Sequence, residues 1–199
     1  VISVTSSDTG EVTVSPATLT FTPADWDIAK TVTLTGANDD LVDGSQTSTI
    51  TLSVVDGSSD DDFDGVADQT VSVTTTDSDV AGFTVIESGG TTTVAEDGST
   101  TDDFTVVLDA QPISDVVISV TSSDTGEATV SPATMTFTSG NWDSSQTVTV
   151  TGVDDSLIDG SQTSTITIAV EDESSNDSFD SLSDQTVSVS TADDDTAGF

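Results

Sequence analysis

Apolar and polar residues alternate along most of this chain, in short runs separated by Gly, Pro, Ser and Asp. Val1 to Thr5, Val12 to Val14, Leu19 to Phe21, Thr31 to Thr35, Thr47 to Val55 and Gln69 to Thr75 all follow this two-residue period. A strand turns successive side chains to opposite faces, so the alternation gathers Val32, Leu34, Ile50, Leu52 and Val54 on one side. The threonine and valine content of the runs suits strands and fits helices poorly. Between them lie turns at Ser6 to Gly10 and Pro23 to Trp26, and acidic loops at Asn38 to Gly44, Asp60 to Gly65 and Asp77 to Asp79.

The pattern then recurs. Val117-Ile-Ser-Val-Thr-Ser-Ser-Asp-Thr-Gly-Glu127 reproduces Val1 to Glu11. A constant offset of 116 residues carries Pro16 onto Pro132, Phe21 onto Phe137, Trp26 onto Trp142, Phe63 onto Phe179, and Ala81-Gly82-Phe83 onto Ala197-Gly198-Phe199. The stretch Phe83 to Val116 has no counterpart before Val1. It carries further strand patterns from Phe83, at Thr91 to Ala95 and at Asp103 to Leu108, with a turn at Glu96-Asp97-Gly98. These features predict an all-β tandem repeat of two-sheet antiparallel sandwiches, each complete unit having roughly seven or eight strands. Residues 1–82 are read as a first unit lacking its opening strands, and residues 83–199 as a complete second unit.

Composition changes the picture through charge. Thirty-seven acidic residues stand against one basic residue, Lys30, and no histidine, for a formal net charge of −36. Self-repulsion on that scale opposes compaction and argues against nucleic acid or anionic membrane as a partner. It also makes partial disorder an expectation for the cation-free chain, whereas the regular apolar spacing argues for a folded core once the charge is offset. Cysteine is absent, which leaves metal ions or core packing alone as stabilising devices. No run approaches the roughly 20 apolar residues of a membrane span, and no positively charged leader opens the chain. An array cut from a longer one would carry any targeting signal elsewhere. Without Cys or His there is no Cys-His pair or Ser-His-Asp triad, Gln146 replaces Lys30 in the second copy, and no carboxylate pair is singled out; an enzyme is not expected. Trp26 and Trp142 are expected to pack over one end of each core, with Phe21, Phe137, Phe63 and Phe179 inside it.

Oxygen ligands, in contrast, are abundant and gathered in loops. Calcium takes about six to eight oxygens in a flexible geometry, which suits clustered carboxylates. In the second unit the candidates are Glu96 and Asp97 in the first turn, Asp124 after Val117–Thr121, Asp154, Asp155 and Asp159 in the long acidic loop, and Asp193 and Asp195 after the last strand. The first copy offers Asp8, Asp39, Asp43, Asp77 and Asp79 but no partner for Glu96, so its site is expected to be incomplete and weaker. Asp77 and Asp79 stand just before the next unit, where a cation would also brace the joint. Loops at one end of a sandwich bring carboxylates into mutual repulsion unless a cation sits between them. An acidic solvated coat is the alternative; confinement of the acids to turns, with Thr and Ser on the polar strand faces, favours ligation. Asp60-x-Asp62-x-Asp64-Gly65 opens like an EF-hand loop, but Val71 stands at its twelfth position and no helical pattern flanks it, so that motif is rejected.

The run Val12 to Trp26, followed by Lys30 to Asp40 and Asp43-Gly44, resembles the repeated Calx-beta-related modules of very large bacterial surface and secreted proteins. Its second copy, Ala128 to Trp142 with Gln146 to Asp155 and Asp159-Gly160, carries the same features, and Val94 to Gly98 and Phe104 to Leu108 resemble the start of such a unit. The resemblance implies an immunoglobulin-like sandwich with Ca2+ in loops at one end, held by Glu96, Asp124, Asp154, Asp155, Asp193 and Asp195. One departure is Asp159-Gly160, where Calx-beta units usually have a glutamate late in the acidic loop. The functional expectation is a calcium-stiffened extender of an extracellular or cell-surface adhesin, whose partners are neighbouring repeats of the same polypeptide. The rivals are a carbohydrate- or protein-binding module and a calcium-dependent surface-layer assembly unit.

Overall fold

The computed structural model describes residues 1–198; Phe199, the last residue of the repeat match, lies outside them. The chain divides between Ser78 and Asp79 into two compact units. The first contains β1 (Ile2–Ser6), β2 (Val12–Ser15), β3 (Thr18–Leu19), β4 (Thr33–Gly36), β5 (Gln46–Val54) and β6 (Gln69–Thr75). They form a four-stranded sheet in the order β3-β1-β5-β6 and a two-stranded sheet of β2 and β4. Val4, Val12, Leu19 and Ile50 are buried between them, with Ile2, Val14, Phe21, Val32, Leu34, Leu52 and Val73 packed alongside. The alternation thus does what it predicts: the inward residues come from every second position of each strand.

The second unit contains β7 (Phe83–Glu87), β8 (Thr92–Ala95), β9 (Thr101–Leu108), β10 (Val116–Ser122), β11 (Ala128–Ser131), β12 (Thr134–Phe137), β13 (Gln146–Gly152), β14 (Gln162–Val170) and β15 (Gln185–Ala192). Their orders are β12-β10-β14-β15-β8 in a five-stranded sheet and β11-β13-β9-β7 in a four-stranded one. Phe104, Val106 and Leu108 of β9, Val116, Ile118 and Val120 of β10, Val148 and Val150 of β13, Ile166 and Ile168 of β14, and Val187 and Val189 of β15 bury one face of each strand. The unit is an all-β sandwich. Its pairing is antiparallel with one exception that alternation does not encode: β8 lies parallel to β15, from Thr92 beside Val189 to Ala95 beside Ala192.

The two units differ most where the first lacks counterparts of β7 to β9. Phe179 and Val187 are 0% and 2% exposed, whereas their counterparts Phe63 and Val71 are 58% and 49% exposed. The expectation that Phe63 lies in a core therefore fails in the first unit. The expectation for tryptophan also holds on one side only. Trp142 is half-buried, and its carbonyl accepts the Leu108 amide of β9 at 3.1 Å, while Trp26, with no such strand beside it, is 73% exposed. Among the described residues no helix is long and apolar enough to cross a membrane.

Burial of this kind has a direct energetic consequence. Phe179→Ala is expected to destabilise its unit by about 3–5 kcal/mol, as for other buried aromatic truncations. Phe63→Ala should change stability by less than about 1 kcal/mol. Denaturant unfolding followed separately in each unit by NMR checks the contrast; equal losses would contradict it.

Candidate metal centre

The parallel pair places the main acidic site. Because β8 and β15 run the same way, Glu96, immediately after β8, and Asp193 to Asp195, just after β15, leave the sheet at the same end. The Glu96 amide donates to the Ala192 carbonyl at 3.0 Å and ties the two exits together. The β13–β14 loop arrives from the other sheet, where the Asp155 amide donates to Glu96 Oε1 at 3.1 Å. One oxygen from each of Glu96, Asp155 and Asp195 falls within 4.8 Å of the others. Two ligands on one calcium ion can stand at most about 5 Å apart, twice a roughly 2.4 Å bond, so a single ion can bridge this set.

Burial makes the arrangement costly without a cation. Thr92, Val94 and Glu96 continue one strand face inward, which leaves Glu96 only 3% exposed. Asp195 Oδ2 is buried and accepts no hydrogen bond. A buried carboxylate oxygen that has lost water and gained no partner is strongly disfavoured in its charged form. Burial accordingly pushes the Glu96 carboxyl above its ordinary value, and the charges of Asp155, Asp193 and Glu127 add to that, against the opposing Asp155 amide bond. The Asp195 carboxyl is likewise raised by burial and then by Asp193, Asp194, Asp154 and Asp155.

The remaining expected ligands fall into different roles. Asp193 organises the site: Oδ2 accepts the Gly160 amide and Oδ1 the Asp195 amide, each at 2.7 Å. Asp155 Oδ1 accepts the Leu157 amide and so shapes its own loop. Asp154 and Asp159 are exposed and act on the cluster through charge, Asp154 on Asp195 and Asp159 on Glu127. Asp124 accepts the Gly126 amide at 2.9 Å and closes its turn. Asp97 is exposed and outside the three-carboxylate group; its Oδ1 accepts the Ser99 amide at 2.8 Å, and that hydrogen bonding lowers its pKa.

Glu127 was not anticipated from the sequence, yet it belongs to the same neighbourhood. Its carbonyl accepts the Val153 amide at 2.9 Å and the Thr191 hydroxyl at 3.4 Å, which fixes it between the ends of β13 and β15. Burial raises its carboxyl, with Asp159, Asp124, Asp155 and Asp193 contributing in that order. The available signal was the repeat, since Glu follows the Ser-Ser-Asp-Thr-Gly turn in both copies.

The first unit assembles a reduced version. Glu11 is raised by burial and by Asp43, Asp39, Asp8 and Asp77. Asp8 accepts the Gly10 amide at 2.8 Å, Asp39 the Leu41 amide at 3.0 Å, and Asp77 Oδ2 the amides of Asp43 and Gly44 at 3.2 and 2.8 Å. Asp79 falls at the start of the second unit as the chain divides. A cavity of about 360 Å³ lined by Val12, Leu34, Gly36 and Val73 lies beside these loops. In the second unit the counterpart of Gly36 is Gly152, which presses against the turn carrying Glu96: a Cβ there would stand 2.1 Å from the Ala95 carbonyl oxygen. A Cβ on Gly36 would meet only Thr75 Cγ2, at 3.5 Å. The Asp60–Gly65 segment forms a 3-10 turn at Asp61–Phe63, in which Asp60 accepts the Asp62 amide at 3.1 Å.

No known protein family matches this sequence, and no curated protein does. Solved structures do show likeness. Domains 4 and 5 of the S-layer protein SbsC are 21% identical, with 96% of this chain and 70% of that one covered and a TM-score of 0.43. Domains 1–6 of the same S-layer protein are 19% identical over 96% of this chain and 20% of that chain, with a TM-score of 0.43. The apo form of the Calx CBD1 domain is 13% identical over 57% of this chain and 98% of that chain, with a TM-score of 0.36. At these identities no residue role passes from those proteins to this one.

Two outcomes follow from the geometry. Gly152→Ala should displace the Ala95–Glu96 backbone and cost about 2 kcal/mol or more through backbone overpacking, whereas Gly36→Ala should be tolerated; thermal unfolding of the two variants compares them. The second concerns pH in a metal-free, chelator-treated sample. Glu96, Asp195 and Glu127 have folded-state values raised above the unfolded ones, so their contribution is fully present below the ordinary carboxyl range and lost as pH rises through the raised values. Asp97 is shifted the other way, and its contribution is lost only as pH falls below that range. Stability should therefore decline from about pH 4.5 toward pH 7 in urea titrations. A flat or rising profile would contradict the burial of these groups.

Proposed function

We propose that the chain is a calcium-binding structural segment of a large extracellular or cell-surface protein, a non-catalytic extender built from repeated sandwiches. The observation that carries this reading is the convergence of Glu96, Asp155 and Asp195 on one point, with Glu96 buried and Asp195 Oδ2 unpartnered. A hard divalent cation supplies the missing partner, neutralises part of a net charge of −36, and joins three separate chain segments. Its remaining coordination comes from water and from the flanking acids Asp154, Asp193 and Glu127. Binding to the folded state alone stabilises it by mass action, which makes rigidity a function of calcium in the medium. The repeat supports a mechanical role with neighbouring copies as partners, and the acidic surface supports exclusion of nucleic acid and anionic membrane.

The exposed Trp26 does not favour the carbohydrate-binding rival, because its half-buried counterpart Trp142 lies beside a strand that the first unit lacks. The test is thermal unfolding with calcium and with excess chelator at matched ionic strength, together with Ca2+ titration calorimetry. Calcium should raise the melting temperature of the second unit by several degrees, about 3 kcal/mol at a hundredfold excess over Kd. Glu96→Gln and Asp195→Asn should each remove most of that gain. Equal stabilisation by sodium at the same ionic strength would return these acids to a solvated coat.

A further inference from the structure

We propose that the first unit carries an open strand-acceptor groove, and that its occupant is the opening-strand segment of another copy of this repeat, of the Phe83–Asp115 type. The inference does not depend on calcium. It begins with β13, which pairs with β11 on one side through Thr149–Gly152 and with β9 on the other through Gln146–Thr151. The corresponding β4 spans only Thr33–Gly36 and pairs with β2 alone. Lys30, Thr31 and Val32, the counterparts of Gln146, Thr147 and Val148, form no strand. Those second-copy residues pair solely with β9, so the first unit has kept every pairing except the one that β9 would supply.

Side chains give the same answer independently. A groove of about 660 Å³ runs along the first unit between Ile2, Phe21, Trp26, Val54 and Phe63. The smaller cavity at Gly36 lies where Gly152 of the second unit receives the Ala95–Glu96 turn. Phe137 and Phe179, counterparts of Phe21 and Phe63, are fully buried in the second unit, where Phe104, Val106 and Leu108 of β9 are buried as well. The walls of both grooves are therefore the same repeat surface that closes over β8 and β9 elsewhere in the molecule. An occupant must present apolar residues at alternate positions, tolerate acids on its outer face and end in a turn that fits beside a glycine. The sequence Thr101–Leu108 with Val94-Ala95-Glu96 before it has those properties.

The test adds a second copy of residues 83–116 ahead of Val1 in the 199-residue chain, in a Trp142→Phe background so that Trp26 is the sole tryptophan. Salt is kept high to screen repulsion between acidic segments. Trp26 emission should shift to shorter wavelength, and the Lys30, Thr31 and Val32 amides should exchange about tenfold more slowly or less readily still. A control carries Asp at the added copy's counterparts of Phe104 and Val106, and both effects should disappear in it. A synthetic peptide of residues 83–115, added to the unextended chain, should compete for the same groove. An extended chain whose Trp26 stays exposed and whose Lys30–Val32 amides stay unprotected overturns the proposal. So does an unextended chain that buries Trp26 by pairing with itself, since the occupant would then be a second first unit.

Discussion

Parallel pairing of β8 with β15 is the constraint on which the second unit depends. Had β8 entered the sheet in the opposite sense, Glu96 would leave at the far end from Asp195, and the acidic loop at Asp155 would face neither. The sheet spends ladder hydrogen bonds to hold like charges together, a placement that packing alone would disfavour. Gly152 makes the arrangement possible on the other side, because only a residue without Cβ lets the β13 end approach the Ala95 carbonyl so closely.

The same arrangement separates two kinds of acid that composition lumps together. Most of the aspartates close their own turns by accepting a nearby amide, as Asp8, Asp97 and Asp124 do. Such carboxylates are held charged by hydrogen bonding and solvent, and they need no ion. A few, Glu96, Asp195 and Glu127 among them, are pushed toward the neutral form by burial. The net charge is thus a poor guide to the number of ions, since the first group contributes to it without coordinating anything.

Much of this was legible in the chain itself. The runs at Gln69 to Thr75 and Thr47 to Val55 are strands within a residue of where alternation puts them, because each buries one face of a sheet. The difference between Glu96 and Asp97 was also present, since the inward parity of Thr92 and Val94 reaches Glu96 and skips its neighbour. Other features were out of reach. Alternation says which face is buried but neither which strand lies alongside nor in which sense, so the parallel pair was hidden. Glu127 looked like an ordinary solvated residue after a turn, and only the return of β13 and β15 places it among the acids. Phe63 and Trp26 misled because a core residue needs both walls of its core, and the sequence of one wall says nothing about the absence of the other.

Lys30 is the only lysine or arginine in 199 residues, and its ammonium pairs with Asp25 at 2.7 Å; in the second copy Asn141 and Gln146 stand in their places with no charge at all. A protease that cuts after basic residues therefore finds a single peptide bond to attack, Lys30–Thr31. That bond lies in the stretch that is strand in the second copy and is not strand in the first. Filling the open groove would enclose it, and the whole chain would then be closed to trypsin-like digestion, a durable property for a polypeptide that works among other organisms' secretions.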